Sequence, residues 1–247
     1  MSTPRKPLTS QVVVITGATS CIGLATARMA ARHGALLMLA ASNATTLARL
    51  ASELRQAGGK VEAFPVDVTV ESDVTALGSM AVQRFGRVDT WINAGMAMDD
   101  ADDGDDVKPA PVASRLFKAH YWGAAHGSNV AKRLMRDGGT IINLDSLASA
   151  RHGVKGCTDA LRAAVEADGM ALSVTLIHAA RTGRADMHDA PHLVAEAILH
   201  AAQYAQRDVV VGGAAHTPAP RNRLAPRLLE KCMDFIGLRH APKAAHS

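Results

Sequence analysis

The chain of 247 residues contains few aromatic residues and lacks any long hydrophobic run. Aromatic side chains make up only 3% of it, which leaves little material for stacking on single-stranded nucleic acid. The 27 Lys and Arg residues outnumber the 23 Asp and Glu residues, but this excess is spread along the chain except at its two ends. No run approaches the roughly 20 apolar residues that a membrane-spanning helix needs. We therefore expect neither a nucleic-acid partner nor a membrane span.

Cysteine is also scarce, and its placement argues against disulfides and zinc. The three cysteines, Cys21, Cys157 and Cys232, are widely separated and show no paired spacing. The first apolar run is too short for a signal peptide and turns at Gly17. These features predict a reduced, cytoplasmic protein.

Two stretches contain residue types that often bind metals, but neither has a complete pattern of metal ligands. Six aspartates lie within residues 99–106, but Ala101 and Ala110 occupy positions where a calcium loop needs ligands. His188 and His192 have the spacing of helical metal ligands, but a proline lies between them and no cysteine joins them. We expect surface loops at both places and no metal.

The chain does contain a regular alternation of short apolar runs and amphipathic stretches. The short runs are typical of buried strands, and the stretches between them repeat apolar residues at helical spacing. The predicted strands cover residues 12–15, 35–40, 61–66, 88–92, 140–144, 172–178 and 208–211. Elements that alternate in this way form right-handed βαβ units. We therefore predict a single doubly wound, Rossmann-type α/β fold, with one parallel sheet and helices on both of its faces.

The two ends of the chain fall outside this alternation. We predict an N-terminal tail at residues 1–10, the Rossmann-type domain at residues 11–213 and a C-terminal extension at residues 214–247. The extension contains an amphipathic helix flanked by basic side chains, which suits an acidic membrane surface, a partner, or packing on its own domain or subunit. Because aromatic anchors are few, we favour packing over contact with a membrane surface.

One stretch, residues 12–23, carries the clearest functional signal. It reads V-V-V-I-T-G-A-T-S-C-I-G, which is a buried strand followed by a glycine-rich turn into a helix. Such a turn presents backbone N–H groups at the positive end of a helix, where a phosphate binds. Ligands of doubly wound sheets lie beyond the carboxyl ends of the strands. We therefore expect Gly17, Ser42, Asp67 and residues 93–95 to surround one crevice.

Four segments in this order resemble the short-chain dehydrogenases/reductases. The turn at residues 16–23 is followed by Asp-Val-Thr at 67–69, Asn-Ala-Gly at 93–95 and Gly-Thr-Ile-Ile-Asn-Leu-Asp-Ser at 139–146. The resemblance covers roughly residues 12–213 and implies a bound NAD or NADP. The cofactor-binding residues that it implies are Gly17, Cys21, Ile22 and Gly23 in the turn, Ser42 after the second strand, Asp67 and Val68 at the adenine, and Asn93, Ala94 and Gly95 at the nicotinamide ribose.

Several of these positions allow a second interpretation. Ser42 is neither the acidic residue that binds the ribose of NAD nor the basic residue that binds the 2′-phosphate of NADP, so the choice of coenzyme stays open. Asp67 can also serve as a strand-end or helix-capping carboxylate, and Gly95 as a simple turn glycine. Cys21 stands where the family has its middle glycine, and a positive φ there would cost roughly 1 to 3 kcal/mol.

The catalytic pattern of the family is incomplete in this chain. By resemblance, the chemistry uses a Tyr, a Lys four residues later, a Ser on the substrate oxygen and an Asn in a proton relay. The sequence contains no Tyr-x-x-x-Lys, and its only tyrosines are Tyr121 and Tyr204. The atypical pattern predicts an unusual or degenerate active site.

Two alignments of the catalytic helix are open. Counting forward from Ser146 reaches Asp159 and then Ala163, which supply neither group. Matching residues 152–162 to the helix that follows the catalytic Lys instead places Arg151 at the Lys position, with a leucine at the Tyr position. Arginine can bind a ribose hydroxyl, but its permanent charge and planar fork do not replace lysine simply.

The catalytic candidates implied by the resemblance are Ser146, His120 and Arg151. His120 stands at the position of the relay Asn, and its helical stripe predicts that it points inward. A buried histidine can relay protons near neutral pH or can simply be a hydrogen-bonded core residue. Ser146 can equally be a helix N-cap.

Two functions follow from these observations. The first is an NAD(P)-dependent oxidoreductase that transfers a hydride to or from a small carbonyl or hydroxyl substrate. The alternative is a non-catalytic dinucleotide-binding or interaction protein on the same scaffold. The family likeness also implies a homo-oligomer formed through two long predicted helices, at residues 114–135 and 147–167.

Overall fold

The computed structural model describes residues 6–95, 110–145, 151–179 and 190–211. By its internal contacts the chain divides into Met1–His216 and Thr217–Ser247, and all the described residues belong to the first unit. The aspartate run at 99–106, His188 and the C-terminal extension at 214–247 lie outside the described residues. The predicted domain boundaries therefore stay predictions.

Seven strands form one parallel sheet in the order β3-β2-β1-β4-β5-β6-β7. The strands are β1 (Val12–Thr16), β2 (Leu36–Ala41), β3 (Lys60–Pro65), β4 (Thr90–Asn93), β5 (Gly139–Asp145), β6 (Leu172–Ala179) and β7 (Asp208–Val211). The helices are α1 (Cys21–Arg32), α2 (Ala44–Gln56), α3 (Glu71–Phe85), α4 (Ala110–Leu134), α5 (Arg151–Ala167) and α6 (Ala190–Gln203), and a short 3-10 helix at Leu8–Ser10 precedes β1. This arrangement confirms the predicted doubly wound fold.

The core lies in two layers, one on each face of the sheet. Alternate residues of β1 point to opposite faces, because side chains alternate along a strand. Val13 and Ile15 belong to the layer that packs against α1, α2 and α6. Val14 belongs to the layer that contains Trp91 and the inward faces of α3, α4 and α5. All five residues of β1 are buried, as expected for a central strand covered on both sides.

The starts of β4 and α4 differ from their predicted positions by two and four residues. Strand β4 starts at Thr90 rather than at residue 88, and the carboxylate of Asp89 accepts a hydrogen bond from Val12 N–H at 2.8 Å. Helix α4 starts at Ala110, four residues before the predicted start. Pro111 lies in its first turn, where the missing N–H of proline has no intrahelical partner to lose.

Across the described ranges, no helix combines the length and the apolar character that crossing a bilayer requires.

Candidate active site

The turn between β1 and α1 lies directly against the end of β4. Gly17 has a φ of 67°, and a Cβ atom there would lie 2.6 Å from Ala94 O. The hydroxyl of Ser20 donates to Ala94 O and accepts from Gly23 N–H, each at 3.1 Å. The structure therefore brings together the predicted residues of the turn and the predicted Asn-Ala-Gly segment. A glycine is required at position 17, because a side chain would separate the two segments.

Cys21 corrects one expectation about this turn. It is the first residue of α1, and among the described residues only glycines have positive φ. The backbone at Cys21 therefore carries none of the strain that a positive φ would impose. Its side chain is exposed, and Ser20 supplies the N-cap. Glycine is not needed here, because the sharp change of chain direction occurs at Gly17.

The ends of β2 and β3 present exposed polar side chains at the same edge of the sheet. Ser42 is exposed, and the next residue, Asn43, caps α2 by accepting a hydrogen bond from Thr46 N–H at 2.9 Å. Asp67 Oδ1 accepts from both the N–H and the hydroxyl of Thr69, at 2.9 and 2.7 Å. The carboxylate of Asp67 thus shapes its own loop and does not cap α3, whose N-cap position is Val70.

The loop after β3 is also held by α4. The imidazole Nδ1 of His126 lies 3.1 Å from Val68 O, which can only accept, so Nδ1 is the donor in this bond. A Cβ atom added at Gly123 would lie 3.2 Å from Val68 Cγ2. These two contacts fix the predicted adenine segment against the side of α4.

Asn93 is buried and its side chain points into the protein. Its Oδ1 accepts from Trp91 Nε1 at 2.9 Å, and its Nδ2 donates to Asn143 Oδ1 at 2.8 Å. Asn143 in turn donates to Thr158 Oγ1 at 2.9 Å and to Ser128 Oγ at 3.2 Å. This network joins β4, β5, α4 and α5 inside the protein, so the side chain of Asn93 is already fully hydrogen-bonded.

His120 lies on the inward face of α4 with only 4% of its surface exposed, which confirms its predicted orientation. Its Nδ1 lies 2.8 Å from Gly95 O, so Nδ1 carries the proton and Nε2 has a free lone pair. Among the described residues, Nε2 has no hydrogen-bond partner. Burial lowers the pKa of His120, although the bond to Gly95 and the charge of Asp145 act in the opposite direction. Burial therefore favours the neutral form of this imidazole.

Sequence reasoning missed a second histidine and its carboxylate partner. Asp145 ends β5 with a side chain that is 0% exposed, and its Oδ2 lies 2.9 Å from His178 Nδ1 on β6. The side chain of His178 is 25% exposed. Both residues lie at carboxyl ends of predicted strands, the position that marks ligand sites in such folds. That signal was available, but the pairing of β5 with β6 was needed to join them.

The remaining catalytic candidates are placed only in part. Ser146 lies outside the described residues, and Arg151 begins α5 without a described side chain. Tyr121 belongs to α4, where its ring stacks on Phe117 with centroids 6.1 Å apart. Tyr204 follows α6. Within the described ranges, no three His, Cys, Asp or Glu side chains are grouped so that they could hold a metal ion.

Comparison with known proteins gives concordant matches. The sequence model of the short chain dehydrogenase family matches residues 11–166. A Bacillus subtilis protein named uncharacterized oxidoreductase YxnA is 35% identical over 270 residues, which cover 94% of this chain and 73% of that protein. The 3beta-hydroxysteroid dehydrogenase 2 of Eggerthella lenta is 34% identical over 157 residues, which cover 61% of this chain and 58% of that relative.

A solved structure shows the same architecture. The crystal structure of a short chain dehydrogenase/reductase from Burkholderia phymatum, in complex with NAD, superposes with a TM-score of 0.67. The match covers 98% of this chain and 100% of the other at 22% identity, so it shows the likeness of fold. Because the family model spans more than half of the chain and the Bacillus protein is similar over most of both chains, the chain belongs to the short-chain dehydrogenase/reductase family.

Proposed function

We propose that the protein is an NAD- or NADP-dependent oxidoreductase that transfers a hydride to or from a carbonyl or hydroxyl substrate at an atypical active site. The observation that carries this proposal is the packing of the Gly17 turn against Ala94, which brings the ends of β1 and β4 together where the strand order reverses. In a doubly wound sheet this position is the place for a dinucleotide. The nicotinamide ring of that dinucleotide would supply or accept the hydride.

The start of α1 suits the pyrophosphate of such a cofactor. Ser20 Oγ already bonds Gly23 N–H, and the first intrahelical bond runs from Leu24 N–H to Ser20 O at 2.7 Å. The N–H groups of Cys21 and Ile22 precede that bond and have no acceptor within the helix. Together with the helix dipole they form a site for an anion.

The other proposed cofactor contacts lie at the same edge of the sheet, where the carboxyl ends of the strands meet. Asp67 and Val68 would lie at the adenine, and Ser42 at its ribose. Since the side chain of Asn93 is bonded inside the protein, residues 93–95 would contact the nicotinamide ribose through their backbone. No acidic or basic side chain occupies position 42, so the proposal covers both coenzymes.

A binding experiment tests the cofactor site directly. Purified protein is titrated with NADH and with NADPH, and binding is followed by calorimetry. Cys21→Asp, which adds a carboxylate where the phosphates would lie, should weaken binding at least about tenfold, because like charges repel across a short distance. Cys21→Ser is the matched neutral control and should bind like the wild type. Equal affinity of both variants would refute this placement of the pyrophosphate.

A turnover experiment tests the chemistry. The protein is incubated with the coenzyme that binds and with each member of a panel of alcohols and carbonyl compounds, and the absorbance of NADH or NADPH is followed. Loss of rate in His120→Ala or Ser146→Ala would place these residues in the reaction. Binding without turnover on any substrate would refute the oxidoreductase proposal, and absence of binding would refute dinucleotide recognition as well.

The second candidate is a protein that binds the dinucleotide without catalysis. The two tyrosines favour it, because neither belongs to α5, the helix that resembles the family's catalytic helix: Tyr121 lies in α4 and Tyr204 follows α6. Binding of NADH or NADPH with no turnover is the result that this candidate predicts.

We also propose a homo-oligomer that uses α4 and α5. Phe117 and Trp122 of α4 are large apolar side chains with 38% and 43% exposure, and Tyr121 lies between them against Gly153 of α5. Exposed aromatic side chains in one patch are typical of protein interfaces. Analytical ultracentrifugation should show a dimer or larger species, and a monomer at tens of micromolar would refute this proposal.

A further inference from the structure

The ends of β5 and β6 place an aspartate and a histidine side by side. The two strands run in parallel register, with Asp145 opposite His178. Asp145 Oδ2 and His178 Nδ1 are 2.9 Å apart, and the carboxylate is completely buried. A carboxylate can only accept, so Nδ1 of His178 carries the proton and Nε2 is left to accept or donate.

These two residues lie on the face of the sheet that α4 and α5 cover. Leu176, two residues before His178, packs with Ala124 of α4 and Val154 of α5. Asn143, two residues before Asp145, bonds Ser128 of α4 and Thr158 of α5. Because side chains two apart on a strand share a face, Asp145 and His178 are on this same side. His120, whose imidazole is influenced by the charge of Asp145, also faces this side.

The two histidines near Asp145 differ in their access to solvent. His120 is bonded to Gly95 O and is almost fully buried, so its ring cannot exchange protons with water easily. His178 is one quarter exposed and can do so. A group that delivers a proton in every catalytic cycle must be reloaded from solvent, and His178 meets that requirement.

The pair also lies near the segment proposed for the nicotinamide ribose. Gly95 follows β4, and β4, β5 and β6 are consecutive neighbours in the sheet. Two strand spacings, about 10 Å, therefore separate the ends of β4 and β6. A small substrate placed beside residues 93–95 and over the end of β5 would reach toward His178.

We propose that His178, oriented by Asp145, is the proton donor and acceptor of the active site. In reduction, the substrate carbon receives a hydride from the reduced dinucleotide, and the Nε2–H of the His178 imidazolium gives its proton to the substrate oxygen. The products are the alcohol, the oxidised dinucleotide and a neutral imidazole, which takes a proton from solvent. In oxidation, neutral His178 Nε2 accepts the hydroxyl proton as the hydride leaves carbon. This inference rests on the proposed oxidoreductase function.

The first test uses the protein without any cofactor. Long-range 1H–15N spectra of the imidazole groups should show His178 as the Nδ1–H tautomer, and Asp145→Asn should change that tautomer balance. His192, which faces Glu196 at 3.5 Å on the exposed side of α6, is the matched histidine-carboxylate pair and should be unchanged. An Nε2–H tautomer of His178 in the wild type would overturn the proposal.

The second test is kinetic. His178→Asn retains an amide that can donate to Asp145 but has nothing at the Nε2 position. We expect an unchanged cofactor Kd and a fall in kcat of about 10²-fold or more, which is the usual contribution of a general acid or base. His192→Gln is the control and should retain full activity, and unfolding curves should show that both variants are folded.

The outcomes separate the two proposals. A wild-type enzyme that turns over while His178→Asn keeps its kcat within threefold would overturn the role of His178 alone. A wild type with no turnover on any substrate would overturn the proposed function itself, and the role of His178 with it.

Discussion

Replacing Gly127 with alanine should test how closely α4 must approach the buried hydrogen-bond network around Asn93. A Cβ atom at this position would lie 2.0 Å from Asn93 Oδ1 and 2.8 Å from Trp91 Nε1. Both atoms belong to side chains that are buried and hydrogen-bonded to each other at 2.9 Å. The added methyl group must therefore move the side chain of Asn93 or shift the whole helix.

The magnitude follows from the groups that lose their partners. Displacing Asn93 Oδ1 leaves the Trp91 N–H unpaired and also removes a bond from Thr16 Oγ1 at 3.3 Å. Each buried polar group left unpaired costs about 1 to 3 kcal/mol. Alanine regains about 1 kcal/mol over glycine inside a helix. We therefore expect Gly127→Ala to lower the free energy of unfolding by about 3 kcal/mol.

Urea denaturation followed by circular dichroism measures this change. Gly156→Ala in α5 is the matched control, because that glycine is exposed and a Cβ atom there would meet nothing within 4 Å. The control should be stabilised by about 0.5 to 1 kcal/mol through helix propensity alone. If Gly127→Ala proved as stable as the control, the close contact of α4 with Asn93 would be wrong.

Three further predictions concern stability and coenzyme choice. Because burial lowers the pKa of His120, the unfolded chain binds a proton below about pH 6.5 that the folded chain resists. The free energy of unfolding should therefore fall as the pH drops below that value, by up to about 1.4 kcal/mol per pH unit until the folded-state pKa is reached. If the free energy of unfolding of a His120→Gln variant depended on pH just as steeply, the prediction would be contradicted. Ser42→Asp should bind NAD at least about tenfold more tightly than NADP, and Ser42→Arg should bind NADP at least about tenfold more tightly than NAD. If neither variant changed the ratio of the two Kd values, position 42 would not lie at the ribose. Ser20→Ala removes the cap on Gly23 N–H and the bond to Ala94 O, so urea denaturation should show a loss of about 1 to 2 kcal/mol. A loss below about 0.5 kcal/mol would contradict the contribution of these two bonds.

Local sequence patterns were sufficient for the fold and for the inward direction of His120. Apolar runs alternating with helical stripes predicted each of the seven strands, with boundaries that differ by at most two residues. The same periodicity placed His120 toward the sheet, where it is 4% exposed. These properties depend on residues within a few positions of each other, so they can be inferred from the sequence.

The glycine-rich turn was predicted in position but not in detail. The sequence indicated Gly17 and Gly23 as parts of a turn at a helix start; the structure places Gly17 in that turn and Gly23 in the first turn of α1. It does not place a strained residue at Cys21, because the only positive φ within the turn belongs to Gly17. Which residue of a turn adopts a positive φ depends on what packs against the turn. Here Ala94, which is distant in the chain, packs against Gly17.

The sequence by itself determined the order of elements, the glycine-rich turn and the segments that end at one edge of the sheet. Only the tertiary structure decided which side chains at that edge meet. The side chain of Asn93 points into the buried hydrogen-bond network, and the register of β5 and β6 places Asp145 beside His178. The physical reason is that hydrophobic periodicity is a local property of the chain, whereas strand adjacency and register arise from packing between residues far apart in sequence.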